Sequence, residues 1–207
     1  MSFEYEYEVF VSYRRDEAVK NWLRFHFVPE LRSWLPQYLP PGHPSRIFID
    51  WDLRPGQKWP SALRRNLVSS RCLLPVFTTQ YFASDWCMAE LRSMQAREEL
   101  LGIGVNDNSD GLVFPIVFAD GKRFPDDVSR LTQRIDMTQW AYDNESFRDT
   151  REYTYFITSV KEVAESLAEF ILRAPDCQDW PVKTPELAPR SEPVYRMVNP
   201  RFGGTRI

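Results

Sequence analysis

Cysteine and histidine are scarce in this chain. Its 207 residues hold three cysteines, Cys72, Cys87 and Cys177, and two histidines, His26 and His43. So odd and sparse a cysteine count does not read as a disulfide framework and points to a reducing compartment, here expected to be the cytoplasm. No two cysteines stand at CxxC spacing, so a zinc site is not expected. An excess of positive charge is missing too. The 26 Lys and Arg against 29 Asp and Glu give a net charge of -3, which argues against nucleic acid as a partner. The local cluster Arg64, Arg65, Arg71 reads as a solvated helix face rather than a phosphate clamp. No apolar run approaches the roughly 18 residues that a membrane span needs. The opening MSFEYEYEVFVSYRRD lacks the basic-then-apolar order of a signal peptide. A soluble protein with no membrane partner is expected.

What is present is the mix of an ordinary globular domain, 43% hydrophobic and 27% charged, on a chain long enough for one full core with or without a tail. Aromatic residues make up 14%, with seven Trp. Some are expected to line a ligand groove or contact surface, although core packing alone would absorb most of them.

Tyr7–Tyr13 is β-branched and aromatic and ends in Arg14-Arg15-Asp16, the pattern of a buried strand followed by a loop. Asp16 suits a helix cap, and Val19, Trp22, Leu23 and Phe27 then recur at helical spacing. Pro29 predicts a kink or restart, after which Leu31, Trp34 and Leu35 continue the apolar face. A second strand is expected over 46–50, followed by a loop at 51–59 with Pro55-Gly56 at its tip. Pro60 fits the first turn of a third helical segment, with Leu63 and Leu67 on its apolar side. Strands at 72–77, 112–118 and, weakly, 134–137 follow. A helix capped by Ser84-Asp85 stands between the first two, with Cys87, Leu91, Met94 and Leu101 on its core face. A strong amphipathic helix over 155–173 closes the pattern on Phe156, Val160, Val163, Leu167, Phe170 and Ile171. Strands alternating with helices imply a parallel five-stranded sheet with helices on both faces. Pro75 and Pro115 conflict with buried strands, because a missing N–H breaks the ladder; they fit only near strand starts or at irregularities. After Ala174 six prolines fall in 175–207 without apolar periodicity. The expected division is therefore a domain at 1–174 and a Pro-rich tail at 175–207, ordered where it packs on the body or a partner.

Three motifs in order carry a resemblance. They are Val9-Phe10-Val11-Ser12-Tyr13-Arg14; Ile47-Phe48-Ile49-Asp50 with Leu53-Arg54-Pro55-Gly56 and Trp59; and the block Phe77 to Leu91, which contains Ser84-Asp85-Trp86-Cys87-Met88-Ala89-Glu90-Leu91. The chain resembles a Toll/interleukin receptor (TIR) domain of the microbial NAD-cleaving type over roughly residues 5–173. The last block is the most specific part, and Thr78-Thr79 departs mildly from a serine frequent in the family. The resemblance implies a flavodoxin-like α/β fold and one of two activities. Some such domains cleave NAD between nicotinamide and ribose, and some of those cyclise the product; others only assemble signalling complexes.

Nicotinamide is cationic in NAD and leaves as a neutral molecule, so no acid is needed to protonate it. The site must stabilise an oxocarbenium-like ribose and grip its hydroxyls, for which one carboxylate suffices. The family motif makes Glu90 that group. Trp86, four residues earlier at the start of the same helix, projects from the same side and offers an aromatic wall for a nucleotide ring. The carboxyl ends of the strands are where ligands sit in a doubly wound sheet. They bring Tyr13, Arg14 and Arg15 from the first strand and Asp50 from the second. Arg14 or Arg15 could bind a pyrophosphate, or pair with Asp16 or Asp50 at the surface. Trp59 could stack on a base, or simply pack against its helix. Cys87 reads as a small buried hydrophobe rather than a nucleophile.

The expected function is an NAD glycohydrolase or ADP-ribosyl cyclase in antiviral defence or cell-death signalling. NAD is its substrate, and no cofactor is required. Self-association through the 51–59 loop and a separate effector or activator protein are the expected partners. The alternative is a non-catalytic interaction module that recruits partners through Pro55-Gly56. A phosphoacceptor module using Asp50 ranks last.

Overall fold

The computed structural model describes residues 4–52, 59–103, 111–119, 124–125 and 134–183, with the side chains of residues 52, 59 and 60 outside that description. Its centre is β1 (Tyr7–Tyr13). From there the chain runs through α1 (Glu17–Trp22), a π-helical turn (Leu23–Phe27) and α2 (Val28–Tyr38) to β2 (Ile47–Phe48). A 3-10 turn (Asp50–Asp52), α3 (Trp59–Val68) and β3 (Ser70–Phe77) come next. The short α4 (Thr79–Phe82) leads into α5 (Asp85–Leu101), then β4 (Ile116–Val117), β5 (Ile135–Asp136) and the long α6 (Glu152–Arg173). The sheet has five strands in the order β2-β1-β3-β4-β5, and every pairing is parallel. This is the flavodoxin-like α/β layout, with helices on both faces.

Strand alternation sorts the two cores. Val9, Val11 and Tyr13 of β1 with Cys72, Leu74 and Val76 of β3 face α1, α2 and α6. Phe10 of β1 with Leu73 and Phe77 of β3 faces α3, α4 and α5. The expected apolar face of α6 is buried throughout.

Local chemistry explains the breaks. Asp16 caps α1, its carboxylate accepting from the Ala18 and Val19 amides. The disturbance expected at Pro29 falls one turn earlier, as the π-helical turn. Pro29 has no N–H to offer the Phe25 carbonyl, and the Arg148 guanidinium donates to that carbonyl instead. Ser84 caps α5 through the Cys87 amide. Gly102, at φ 65°, closes the same helix in the left-handed conformation that glycine adopts without steric cost.

Three expectations are corrected. The second strand is confined to Ile47–Phe48, because Asp50 already opens a 3-10 turn. The fourth strand shrinks from 112–118 to Ile116–Val117 plus an isolated bridge between Leu73 and Val113. Pro75 lies inside β3, and the ladder to β4 is interrupted beside it. The pairs Leu73–Val113 and Val76–Ile116 keep one register across the gap. Pro115 stands just before β4, with its carbonyl accepting from the Ile135 amide. Arg71, finally, is not on a helix face. It sits in β3, 2.6 Å from the buried carboxylate of Glu8.

Candidate functional site

The carboxyl ends of β1 and β2 open into a small concavity whose other wall is the start of α5. Six of the seven predicted site residues line it: Tyr13, Arg14, Arg15, Asp50, Trp86 and Glu90. Trp59 begins α3, and its side chain lies outside the described residues, as do residues 53–58 of the loop assigned to self-association.

Glu90 stands where two elements meet. The cap at Ser84 sets the start of α5, so Trp86 and Glu90, one turn apart, both reach the cleft while Cys87 and Leu91 go into the core. From β1, Ser12 donates to Glu90 Oε2 at 2.6 Å. Ser12 is the one serine of that strand, and alternation aims it at the α5 side, the side that Phe10 also faces. Tyr81, from α4, places its hydroxyl 2.9 Å from Ser12 Oγ and 3.2 Å from the Cys87 carbonyl. With Glu90 ionised, protons run Tyr81 to Ser12 to Glu90. With Glu90 protonated, the chain reverses and Tyr81 donates to the Cys87 carbonyl. The same three side chains therefore serve both protonation states without an unpaired hydroxyl.

Electrostatics poise the carboxylate. Glu90 is half-buried in the wall of the cleft, and its partial desolvation, with a push from nearby Asp50, outweighs the Ser12 hydrogen bond and Arg15. Its pKa is raised to about 7. Cys87 is buried and pushed up to about 12, first by desolvation and then by Glu90. It therefore holds its proton at neutral pH and has no nucleophilic character.

Asp50 is fully engaged. Tyr13 donates to Oδ1 at 2.7 Å, and Arg15 Nε donates to Oδ2 at 2.6 Å. Each carboxylate oxygen thus accepts one hydrogen bond from the end of β1 or the loop after it. This pairing separates the two arginines that sequence could not tell apart. Arg15 is tied to Asp50, whereas Arg14 is exposed at the cleft and forms no ion pair among the described residues. Trp51 meets the Tyr13 ring edge-on at 5.9 Å, which extends the aromatic border beyond Trp86. Ser12 and Tyr81 fall within the sequence motifs, which assign them no role. Strand parity marks Ser12 as facing the α5 side, but nothing local marks Tyr81.

The family model for the TIR domain matches residues 9–151. The chain belongs to the TIR domain family. A curated relative, the disease resistance-like protein CSA1 of Arabidopsis thaliana, is 34% identical over 92 residues, which cover 44% of this TIR chain and 7% of that protein. The chain thus matches only a small part of its curated relative. Among solved structures it is similar to the TIR domain of the Toll-related receptor TRR-2 from Hydra magnipapillata. That likeness has a TM-score of 0.45 and 16% identity over 69% of this chain and 97% of that one. The TIR domains of the activated Roq1 resistosome, which directly recognises the pathogen effector XopQ, give a TM-score of 0.39. The identity there is 20%, over 79% of this chain and 84% of that one. Thr78, where the family favours serine, still caps α4 through the Tyr81 amide at 3.1 Å. No described helix of this TIR domain is long and apolar enough to cross a membrane.

Proposed function

We propose that this TIR domain cleaves NAD at the bond between nicotinamide and ribose, with Glu90 as the catalytic carboxylate. The observation that carries the reading is the Glu90 carboxylate itself. It is desolvated, held by Ser12 at 2.6 Å and set beside Trp86 at the carboxyl ends of the strands. As the C–N bond breaks, its electron pair leaves with neutral nicotinamide and positive charge develops on the ribose. A fixed carboxylate in a site of low dielectric stabilises that charge far better than water does. Trp86 supplies a flat wall for a ring, and Arg14, which forms no ion pair among the described residues, suits the pyrophosphate. Tyr13 and Arg15 act through Asp50, holding the mouth of the cleft in shape. NAD is substrate here and not cofactor. The protein would act in the cytoplasm, in defence or cell-death signalling, and residues 1–174 would form its catalytic domain.

Assembly joins this reading at one place. Asp50 and Trp51 border the cleft and lead directly into the 53–58 segment. A neighbouring copy or an activator docked on that loop would act on Asp50, and through it on the charge balance at Glu90.

The test is chromatographic. Purified protein at high concentration is incubated with NAD, and free nicotinamide is measured for wild type and Glu90→Gln. Loss of a charge-stabilising group should lower turnover by about 10²–10³-fold. Glu90→Gln should fold at least as well as wild type at alkaline pH, because it removes a carboxylate whose ionised form burial disfavours. The companion product separates linear from cyclised ADP-ribose. Equal turnover in both proteins removes Glu90 from the chemistry. No nicotinamide from either, even with crowding agents that promote assembly, leaves the non-catalytic interaction module.

A further inference from the structure

Positions 86, 90, 93 and 97 of α5 recur at helical spacing, so Trp86, Glu90, Ser93 and Arg97 form one stripe along the helix. Its first half faces the cleft. Its second half is covered by the chain that follows α6. The Lys183 amide donates to Ser93 Oγ at 2.8 Å, and Ser93 Oγ donates to the Ala89 carbonyl at 2.6 Å. The Arg97 guanidinium lies 4.8 Å from the centroid of Trp180, which is 5% exposed. Arg97 is itself buried and donates to the carbonyls of Ser70 at 2.8 Å and Leu67 at 3.2 Å. Among the described residues it has no carboxylate partner, so the face of the Trp180 indole supplies the counter-surface to its charge. Between these anchors Val182 packs into the second core. Val182 and Lys183 line a small apolar pocket with Trp86 and Glu90, which also line the cleft, so Glu90 borders both spaces.

We propose that residues 174–183 are a strap that positions Glu90: they clamp α5 against the end of α3 and keep water from the rear of the carboxylate. The inference rests on the role proposed for Glu90, and it makes Trp180, Val182 and Ser93 positioning residues. Two physical effects follow from releasing the strap. Water reaches the pocket behind Glu90, which favours the ionised carboxylate. The helix that carries Glu90 also gains freedom, and displacements of about 1 Å at a reacting centre cost up to about 10²-fold in rate. The charged and titratable groups around Glu90 are Tyr13, Asp50, Arg14 and Arg15 at the cleft, and Tyr81 and Cys87 beneath it. Arg64 and Lys183 stand at the rear pocket. Replacing Trp180 changes none of them, so a change in Glu90 titration reports water and geometry.

The experiment uses the full chain with carbon-13-labelled glutamate. The Glu90 carboxyl signal is assigned by its loss in Glu90→Gln and titrated in wild type, Trp180→Ala, Trp180→Phe and Ser93→Ala. Nicotinamide release is measured in parallel. Trp180→Ala should move the Glu90 midpoint down toward the ordinary carboxylate range. It should also lower kcat by about tenfold, with KM held within about twofold. Trp180→Phe keeps a ring face over Arg97 and should restore both. Should Trp180→Ala fail to fold, Ser93→Ala removes a single hydrogen-bonding group and should shift the midpoint in the same direction by less. A folded Trp180→Ala or Ser93→Ala protein with the wild-type midpoint and kcat overturns the strap. If wild type releases no nicotinamide, the proposed activity fails, while the carboxyl titration still decides the strap.

Discussion

The two faces of the sheet are built from different materials. On the first, Trp22 stacks on Phe27 at 4.9 Å and meets Phe118 and Phe156 edge-on, and α2 and α6 lie side by side over an apolar layer. Its buried polar side chain, His26, is held by the Asn144 carbonyl among aromatic rings. The second face buries Ser12, Asn66, Ser93 and Arg97 among its apolar residues, and Glu90 stands at its rim. One face secures the fold with non-directional apolar contacts. The other uses directional hydrogen bonds to hold groups at stated distances. Uncoupling the two jobs lets a carboxylate be partly desolvated on one side while stability is secured on the other.

The largest effect that would sharpen this contrast is Trp22→Ala. Removing the centre of the aromatic stack should cost about 3–5 kcal/mol, read as a lower urea midpoint. Wherever the protein stays folded, nicotinamide release per folded molecule should be unchanged. A specific loss of turnover at full stability would show that the faces are coupled.

Ser12→Ala tests the second face and should do the opposite. A net cost of about 1 kcal/mol in stability should accompany a drop of about tenfold in kcat/KM at neutral pH. On the proposed mechanism the ionised carboxylate is the active form, so wild-type kcat/KM should rise with pH around a midpoint near 7. Ser12 donates to the ionised form, so its loss should move that midpoint to higher pH. A midpoint that stays put would remove Ser12 from the control of Glu90.

His26 should give the smallest effect. Burial lowers its pKa below the ordinary 6.5, so the fold favours the neutral ring. Stability from that group is therefore present above its unfolded value and lost as pH falls below it. Between about pH 7.5 and about pH 5, the urea midpoint of wild type should fall more than that of His26→Phe. Equal losses would show that the ring carries no such linkage.

Much of the first face is legible in the sequence. Val19, Trp22, Leu31 and Leu35, and then Phe156 to Ile171, recur with helical period, and local periodicity survives folding unchanged. The seam at Pro75 was visible as a conflict, because a missing N–H is a property of the residue alone. The length of β4 was not, since it depends on which carbonyls of two distant segments meet. In the site, Trp86 and Glu90 were legible through one-turn spacing. The Ser12–Tyr81 link was not, because it joins residues 69 positions apart that only the sheet brings together. Arg14 and Arg15 looked equivalent, and only the place of Asp50 tells them apart. Arg71 misled because neighbours in a charge cluster need not share an element.

The interrupted ladder beside Pro75 has a consequence for how the molecule breathes. β1 and β3 are zipped along nearly their whole length, whereas the sheet beyond β3 is joined by the two pairs Val76–Ile116 and Phe77–Val117 and one detached bridge. Opening the β4–β5 margin breaks few ladder bonds, as does freeing β2, which two pairs hold to β1, so brief partial unfolding is expected at the margins of the sheet and not at the β1–β3 centre. The strand that carries Ser12 lies on the closed side of the seam, and such fluctuations leave it in place.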